Sequence, residues 1–188
     1  MNLPNQLTML RAGLALAIFA ALIQTDHGYH LAAVVLFLAA LLTDWVDGYL
    51  ARRTGAVSAF GKVADPIADK ILVIGALIAL MRARELGVPH WGVFLIVIRE
   101  LTVGGIRILA SSRGQVPAAQ SWGKAKMLIQ SVSVLAMLII LVLNERGLAA
   151  PRLLQLPYYL TILCVFVAWD SAYRYFRESR RLLEKSWG

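Results

Sequence analysis

Charged residues are scarce in this sequence: they make up 16% of its 188 residues, whereas 59% are hydrophobic. A soluble globular protein carries about a quarter charged residues, so the composition argues against a soluble domain. The chain also lacks internal repeats and low-complexity tracts. We therefore interpret residues 1–188 as a single membrane domain with no separate soluble part.

Cysteine is nearly absent, and the single Cys164 excludes an internal disulfide. Because it lies inside an apolar run, we expect it to be buried and to pack as a small hydrophobic side chain. Arg11 followed by the apolar stretch 12–23 resembles the start of a signal peptide. No small-x-small cleavage site follows it, however, and further apolar runs do, which argues against cleavage.

No apolar run reaches the roughly 20 residues that a membrane-spanning helix needs. The runs attain that length if flanking Thr, Gly, Ser and a few charged residues face the other helices. They lie near residues 12–23, 31–42, 71–81, 91–98, 127–143 and 156–169. We therefore predict an all-α integral membrane protein, a bundle of six transmembrane helices that follows a short interfacial segment at residues 2–6.

Lysine and arginine are unevenly distributed between the predicted loops, and cytoplasmic loops carry the excess in membrane proteins. With the N-terminus inside, the outer loops hold Arg82, Arg84, Arg146 and Arg152, and most other basic residues lie on the inner side. Both termini are then cytoplasmic. The net charge of +8 lies beside the bilayer, where it favours anionic lipids. Without a visible recognition module, we expect no nucleic-acid partner.

Acidic residues are few, yet four of the eleven lie close together at Asp44, Asp47, Asp65 and Asp69. Spacings of three and four put each pair on one face of a helix. A short connection makes the two helices antiparallel neighbours, so we expect the four carboxylates to converge at the cytoplasmic surface. Carboxylates beside an apolar stretch are costly unless they are paired or bind cations. Oxygen ligands favour hard ions such as Mg²⁺ or Mn²⁺.

Small residues and an arginine accompany these aspartates. Gly48 and Ala51 offer bare helix surface that a flat group such as a nucleotide base can approach, and Gly61 gives similar clearance on the next helix. The guanidinium of Arg52 can form paired hydrogen bonds to phosphate oxygens. The pattern indicates a metal site that holds phosphates.

The whole stretch, Asp44-x2-Asp47-Gly48-x2-Ala51-Arg52-x8-Gly61-x3-Asp65-x3-Asp69, resembles the motif of the CDP-alcohol phosphatidyltransferases at every defined position. The resemblance implies metal-dependent transfer of a phosphatidyl group from a CDP-lipid to an alcohol, with release of CMP. It implies that the four aspartates hold two divalent cations and that Asp69 also takes the proton of the attacking hydroxyl. The CDP-lipid contacts that it implies are Asn5, Thr8, Asp47, Gly48, Ala51, Arg52, Ser58 and Gly61. It further suggests a homodimer.

Three other segments bear on the acceptor alcohol. Residues 3–11 resemble the opening of bacterial phosphatidylglycerophosphate synthases, an opening that cardiolipin synthases share. Residues 99–107 and 122–130 resemble two further segments of the phosphatidylglycerophosphate synthases, with Met127 in place of the usual threonine. This likeness implies CDP-diacylglycerol and glycerol 3-phosphate as substrates and the bacterial inner (cytoplasmic) membrane as location, with the active site on the cytoplasmic side.

An anionic acceptor needs fixed positive charge beside the aspartates. We expect Arg107, Lys124 and Lys126 to bind its phosphate, although both lysines can instead extend toward lipid headgroups. Arg99 and Glu100 are expected to form a structural ion pair, or a network with Arg107.

Two alternative functions are also consistent with the sequence. A cardiolipin synthase would use phosphatidylglycerol and need fewer cations. A divalent-cation transporter would place its carboxylates near the bilayer midplane rather than at one surface. Asp170 and Arg174 are expected to pair within one helix, and His27, His30 and His90 are expected on the outer side, away from the aspartates.

Overall fold

Six α-helices form most of the chain in the computed structural model, which describes residues 3–54, 59–112 and 121–187, without the side chains of residues 3–8, 44–54, 59–66, 109–112, 121–122, 124 and 178–187. The helices are α1 (Leu3–Leu22), α2 (His27–Thr54), α3 (Ala59–Leu80), α4 (His90–Ser112), α5 (Ser121–Glu145) and α6 (Leu156–Trp187). Short 3₁₀ turns at Arg84–Leu86 and Leu153–Gln155 precede α4 and α6. The described residues contain no strand, as predicted for an all-α fold.

The N-terminus differs from the prediction of a separate interfacial segment at residues 2–6. The first helix begins at Leu3 and continues without a break to Leu22. Proline suggested a non-helical start, but Pro4 lies in the first turn, where its missing N–H costs no hydrogen bond and its fixed φ suits a helix. Residues 3–6 are therefore part of α1.

The two helices that carry the aspartate motif are longer than predicted. The second begins at His27 and ends at Thr54, and the third begins at Ala59. Pro66 consequently lies well inside α3, where a proline removes one backbone hydrogen bond and tends to bend the helix. The short connection between α2 and α3 is residues 55–58, which lie outside the described part.

The helices pack around a shared apolar core. The first helix lies against α2 and α3, α6 lies against α4 and α5, and α5 also contacts α2 and α3. Every helix contributes side chains to the core, and its largest fully buried members include Ile18, Phe37, Leu77, Leu80, Ile96, Met137 and Leu138. Cys164 is also buried there, as predicted.

Large apolar side chains also cover the outside of the helices. Leu16, Leu101, Ile108 and Phe166 each expose about two thirds of their surface or more, an arrangement that water disfavours and lipid accepts. Within the part of the chain that the structure describes, two helical stretches, Ala125–Glu145 and Leu153–Arg177, are long and apolar enough to cross a membrane, and Met9–Leu22 and His27–Thr43 are shorter apolar helices. The predicted number of six helices is confirmed within the described residues. That all six cross a membrane stays a prediction.

Polar contacts connect the helix ends on the side of the bundle opposite the aspartate motif. The carboxylate of Glu145, at the end of α5, contacts the ring of His30 through Nδ1 and lies 3.3 Å from Nδ1 of His27. The other ring nitrogen of His30 lies 3.1 Å from the carbonyl oxygen of Gln24, and Arg82 donates to the carbonyl of Ile23. His27 and His30 are thus far along α2 from Asp44 and Asp47, as predicted.

Close helix packing at Gly92 leads to a stability prediction. A Cβ added at Gly92 would lie 2.9 Å from Cγ2 of Thr161 and 3.3 Å from Cγ of Pro89, and Thr161 is fully buried with its hydroxyl donating to the carbonyl of Pro157. Overpacking of this kind costs about 1–3 kcal/mol. Gly92→Ala is expected to lower the melting temperature of the purified protein in detergent.

Gly75→Ala is the matched control, because a Cβ there meets nothing within 4 Å. Both changes raise helix propensity by a similar amount, so the control is expected to keep or raise the melting temperature. Equal melting temperatures for the two variants would contradict the close approach of α4 and α6.

Candidate active site

The aspartate motif lies on the ends of α2 and α3 that residues 55–58 connect. Asp44 and Asp47 belong to the last part of α2, and Asp65 and Asp69 belong to the first half of α3. Both spacings therefore occur on α-helices, so each pair shares a helix face as predicted. The side chains of Asp44, Asp47 and Asp65 lie outside the described set, and the convergence of the four carboxylates stays a prediction.

The predicted CDP-lipid residues that the structure describes lie on α1, α2 and α3. The first helix packs against both α2 and α3. Asn5 and Thr8 lie on α1, Gly48, Ala51 and Arg52 lie on α2, and Gly61 lies on α3, whereas Ser58 is outside the described residues. The fold thus brings their helices together, and the contacts of these side chains remain predicted.

Asp69 is the motif aspartate whose side chain the structure describes, and it contacts a buried arginine. Nη1 of Arg11, on α1, donates to Oδ1 of Asp69 at 2.8 Å. Arg11 is only 2% exposed and Asp69 is 18% exposed at the side chain. A charge buried in an apolar bundle is stable when an opposite charge pairs with it. This contact therefore fixes the carboxylate of Asp69 relative to α1.

Sequence reasoning counted Arg11 as an inner-side positive charge and missed its contact with Asp69. A signal was present, because Arg11 ends the segment 3–11 and is followed by an apolar stretch. An arginine in that position needs a partner. The partner is 58 positions away in the sequence, so its identity depends on how α1 and α3 pack.

Glu100 forms a second buried charge cluster on the middle of α4. Its side chain is 5% exposed; its Oε1 atom accepts a close hydrogen bond from Nζ of Lys126 and a second from Nη1 of Arg99 at 2.9 Å. Nζ of Lys70, on α3, lies 4.0 Å from Oε2 of Glu100. One carboxylate thus gathers cations from α3, α4 and α5.

Arg99 extends this cluster to the sixth helix. Its Nε donates to the carbonyl of Ala168 at 2.9 Å, and its Nη2 donates to the hydroxyl of Ser171 at 3.0 Å. The predicted Arg99–Glu100 ion pair is confirmed. The two hydrogen bonds of Arg99 to Ala168 and Ser171 link α4 to α6. The predicted local pair of Asp170 and Arg174 is also confirmed, at 2.9 Å.

The three predicted acceptor cations occupy different surroundings. Lys126 is 8% exposed and contacts Glu100, so an acceptor phosphate would have to share it with that carboxylate. The guanidinium of Arg107 lies 5.8 Å from the ring centre of Tyr175, within the range of a cation–π contact. The side chain of Lys124 lies outside the described set. The acceptor-binding role of all three stays a prediction.

A divalent-cation site fits the donor chemistry of the motif. Among the described side chains, no three His, Cys, Asp or Glu residues are grouped closely enough to hold a metal, and the motif contributes Asp69 alone to that set. All four motif side chains offer carboxylate oxygens, the ligands that Mg²⁺ and Mn²⁺ prefer. A cluster of four carboxylates also requires counter-charge, which cations supply.

Comparison with known proteins gives the class to which this helical fold and its aspartate motif belong. A model of the CDP-alcohol phosphatidyltransferase family matches residues 1–169. The chain belongs to the CDP-alcohol phosphatidyltransferase family.

Individual relatives extend this result. A Bacillus subtilis protein named CDP-diacylglycerol–glycerol-3-phosphate 3-phosphatidyltransferase is 40% identical over 151 residues, which cover 73% of this chain and 77% of that one. A Rickettsia bellii protein of the same name is 35% identical over 184 residues, 93% of this chain and 97% of that one. A probable phosphatidylglycerophosphate synthase from Mycobacterium tuberculosis is 41% identical over 138 residues, 71% of this chain and 64% of that one.

The contact between Arg11 and Asp69 predicts an energetic coupling between α1 and α3. Arg11→Leu is expected to destabilise the protein strongly, because removing one member of a buried ion pair leaves the other charge poorly compensated. The same change is expected to cost less when combined with Asp69→Asn. Unfolding of the four proteins in detergent gives the coupling energy, expected at about 1–3 kcal/mol. Strictly additive effects would contradict the pair.

Proposed function

We propose that the protein transfers the phosphatidyl group of CDP-diacylglycerol to the primary hydroxyl of glycerol 3-phosphate, giving phosphatidylglycerophosphate and CMP. The observation that carries this proposal is the match to the Rickettsia bellii protein of that named activity, which extends over 93% of this chain and 97% of that one. The match therefore includes the motif and both acceptor-side segments. The buried cations Arg99 and Lys126 around Glu100 support an anionic acceptor, and Lys70, which follows Asp69 in α3, lies 4.0 Å from the same carboxylate.

Asp69 is the proposed general base. In the reaction, the acceptor hydroxyl oxygen forms a bond to the phosphorus of the phosphatidyl group, the bond from that phosphorus to the CMP oxygen breaks, and the hydroxyl proton goes to the Asp69 carboxylate. Arg11 holds one oxygen of that carboxylate at 2.8 Å, so it restricts the rotamer from which Asp69 acts. Fixing a base in position in this way lowers the entropic part of the barrier.

Asp44, Asp47, Asp65 and Asp69 are proposed to hold two divalent cations, Mg²⁺ or Mn²⁺. When bound, these ions would supply charge neutralisation for the pyrophosphate and the departing CMP. Gly48 and Ala51 leave helix surface bare for the cytidine, and Arg52 can pair with a phosphate. Asn5, Thr8, Ser58 and Gly61 complete the proposed CDP-lipid contacts.

The proposed setting is a bacterial cytoplasmic membrane that all six helices cross, with the active site and both termini in the cytoplasm. Apolar side chains on the outside of the helices support burial in lipid. The basic residues of the inner loops support the orientation. A homodimer is proposed from the family resemblance.

Two other functions can be distinguished from this one by experiment, the first by its acceptor alcohol and the second by whether the protein binds nucleotide. A cardiolipin synthase would release CMP with phosphatidylglycerol as acceptor, and the shared opening segment 3–11 keeps it as the second candidate. A divalent-cation transporter would have no reason to bind CMP or CDP-diacylglycerol.

The decisive assay measures CMP release from CDP-diacylglycerol by purified protein with Mg²⁺ or Mn²⁺. Glycerol 3-phosphate, phosphatidylglycerol, inositol phosphate and serine are offered separately, and release is expected with glycerol 3-phosphate. Release with another acceptor would move the assignment within the family. Absence of release with every acceptor, from protein that still unfolds cooperatively, would contradict the proposal.

Asp69→Asn is expected to reduce CMP release by on the order of 10²-fold or more, since it removes the proton acceptor. Asp26→Asn is the matched control at the opposite end of α2. Asp26 is exposed, its carboxylate accepts from the N–H of Gly28 at the start of α2, and asparagine serves that position equally well. Full activity of the Asp69 variant would remove Asp69 as the base.

Chelation of divalent cations provides a separate check. EDTA is expected to abolish CMP release from the wild-type protein, and excess Mg²⁺ or Mn²⁺ is expected to restore it. Undiminished release in EDTA, after metal analysis shows the protein to be free of divalent ions, would contradict the two-cation site.

A further inference from the structure

Lys70 follows the proposed base directly and reaches from α3 to α4. Its Nζ donates to the carbonyl oxygen of Glu100 at 3.4 Å and lies 4.0 Å from the Oε2 atom of the same residue. Both distances are at the long end of the ranges for such contacts. The side chain keeps 35% of its surface exposed. Lys70 therefore differs from Lys126, which is buried and in close contact with Glu100.

The ammonium group of Lys70 lies over bare helix backbone at Gly104. A Cβ added at Gly104 would be 2.9 Å from Nζ of Lys70, whereas a Cβ added at Gly105 would meet nothing within 4 Å. Gly104 is one turn beyond Glu100 on α4, so both lie on one helix face. The absence of a side chain at Gly104 thus creates the space that the ammonium occupies.

Among the described side chains that contact Glu100, positive charges outnumber the single negative charge. Glu100 carries one negative charge and is contacted by the cations of Arg99 and Lys126 at hydrogen-bonding distance, before Lys70 is counted. Arg107 lies three residues beyond Gly104 on the same helix. An ammonium has three N–H donors, and Lys70 uses one of them in a long hydrogen bond. An anion with several acceptor oxygens matches this surplus of charge and donors.

We infer that Lys70 is a specificity-determining residue that binds the phosphate of the acceptor, with its ammonium seated on Gly104 and retained near α4 by Glu100. This inference rests on the proposed function, and it adds to that function a cation beyond Arg107, Lys124 and Lys126. Lys70 adjoins Asp69 in α3, but its side chain faces α4 whereas Asp69 faces α1. Successive side chains of a helix are about 100° apart, so an acceptor with its phosphate on Lys70 spans these two directions to place its hydroxyl at the proposed base. Glu100 acts as a positioning residue, because its carboxylate contacts Nζ of Lys126 from α5 and lies 4.0 Å from Nζ of Lys70 from α3.

Kinetics with the two substrates varied separately test this role. Lys70→Met keeps the length of the side chain and removes its charge. It is expected to raise the KM for glycerol 3-phosphate by on the order of tenfold or more, the usual effect of losing a hydrogen bond to a charged group. The kcat and the KM for CDP-diacylglycerol are expected to stay within about threefold of the wild-type values. Lys70→Arg, which restores the charge, is expected to recover much of the lost affinity.

Gly104→Ala and Gly105→Ala form a matched pair that leaves Lys70 in place. The first change displaces the ammonium and is expected to raise the KM for glycerol 3-phosphate several-fold, in the range of a partly weakened contact. The second is expected to leave it unchanged. Both add the same methyl group to neighbouring positions of one helix, so general effects on α4 appear equally in both. Equal KM values for the two variants, or an unchanged KM in Lys70→Met, would overturn the inference.

Direct binding separates this inference from the proposed reaction. Inorganic phosphate and glycerol 3-phosphate are titrated into the CMP-bound protein, and the melting temperature is recorded for wild type, Lys70→Met and Gly105→Ala. Stabilisation of wild type and Gly105→Ala that is lost in Lys70→Met is expected. If that pattern occurs without any CMP release in the assay, the proposed function fails and the phosphate site stands. Stabilisation that persists in Lys70→Met overturns the site itself.

Discussion

A charge inside an apolar helix bundle has to be compensated by an opposite charge or by hydrogen bonds, and this constraint organises one end of the protein. The carboxylate of Glu100 contacts cations of α4 and α5 and lies 4.0 Å from a cation of α3. Arg99 also donates a hydrogen bond to a backbone carbonyl of α6. Arg11 and Asp69 make a similar connection between α1 and α3. The helices at the motif end are therefore positioned by specific charge pairs as well as by apolar packing, which by itself specifies helix rotation poorly.

In the proposed function, the same pairing prearranges charged groups for substrates that are rich in phosphate. Arg11 engages Asp69 from α1, and Glu100 engages Lys126 from α4. A site arranged in this way needs little rearrangement when a charged substrate enters, which favours catalysis by preorganised electrostatics.

Local sequence spacing was sufficient for some features and not for others. The helical placement of the four aspartates and the Asp170–Arg174 pair could be predicted because each depends on residues within one helix. The contacts of Arg11 with Asp69 and of Lys126 with Glu100 could not, since they depend on which helix faces meet. The start of α1 was misjudged because Pro4 is compatible both with a loop and with a first helical turn.

The end of the bundle that faces away from the motif carries the contacts of Glu145 with His30 and of Arg82 with the carbonyl of Ile23. Between the two polar ends lies the apolar core that includes Phe37, Leu77 and Met137. A membrane that stores an ion gradient loses energy through any continuous wet path across it. In the proposed setting, where all six helices cross the membrane, this core is the electrical insulator of the bundle. It keeps water and ions from crossing while charged substrates bind at one surface.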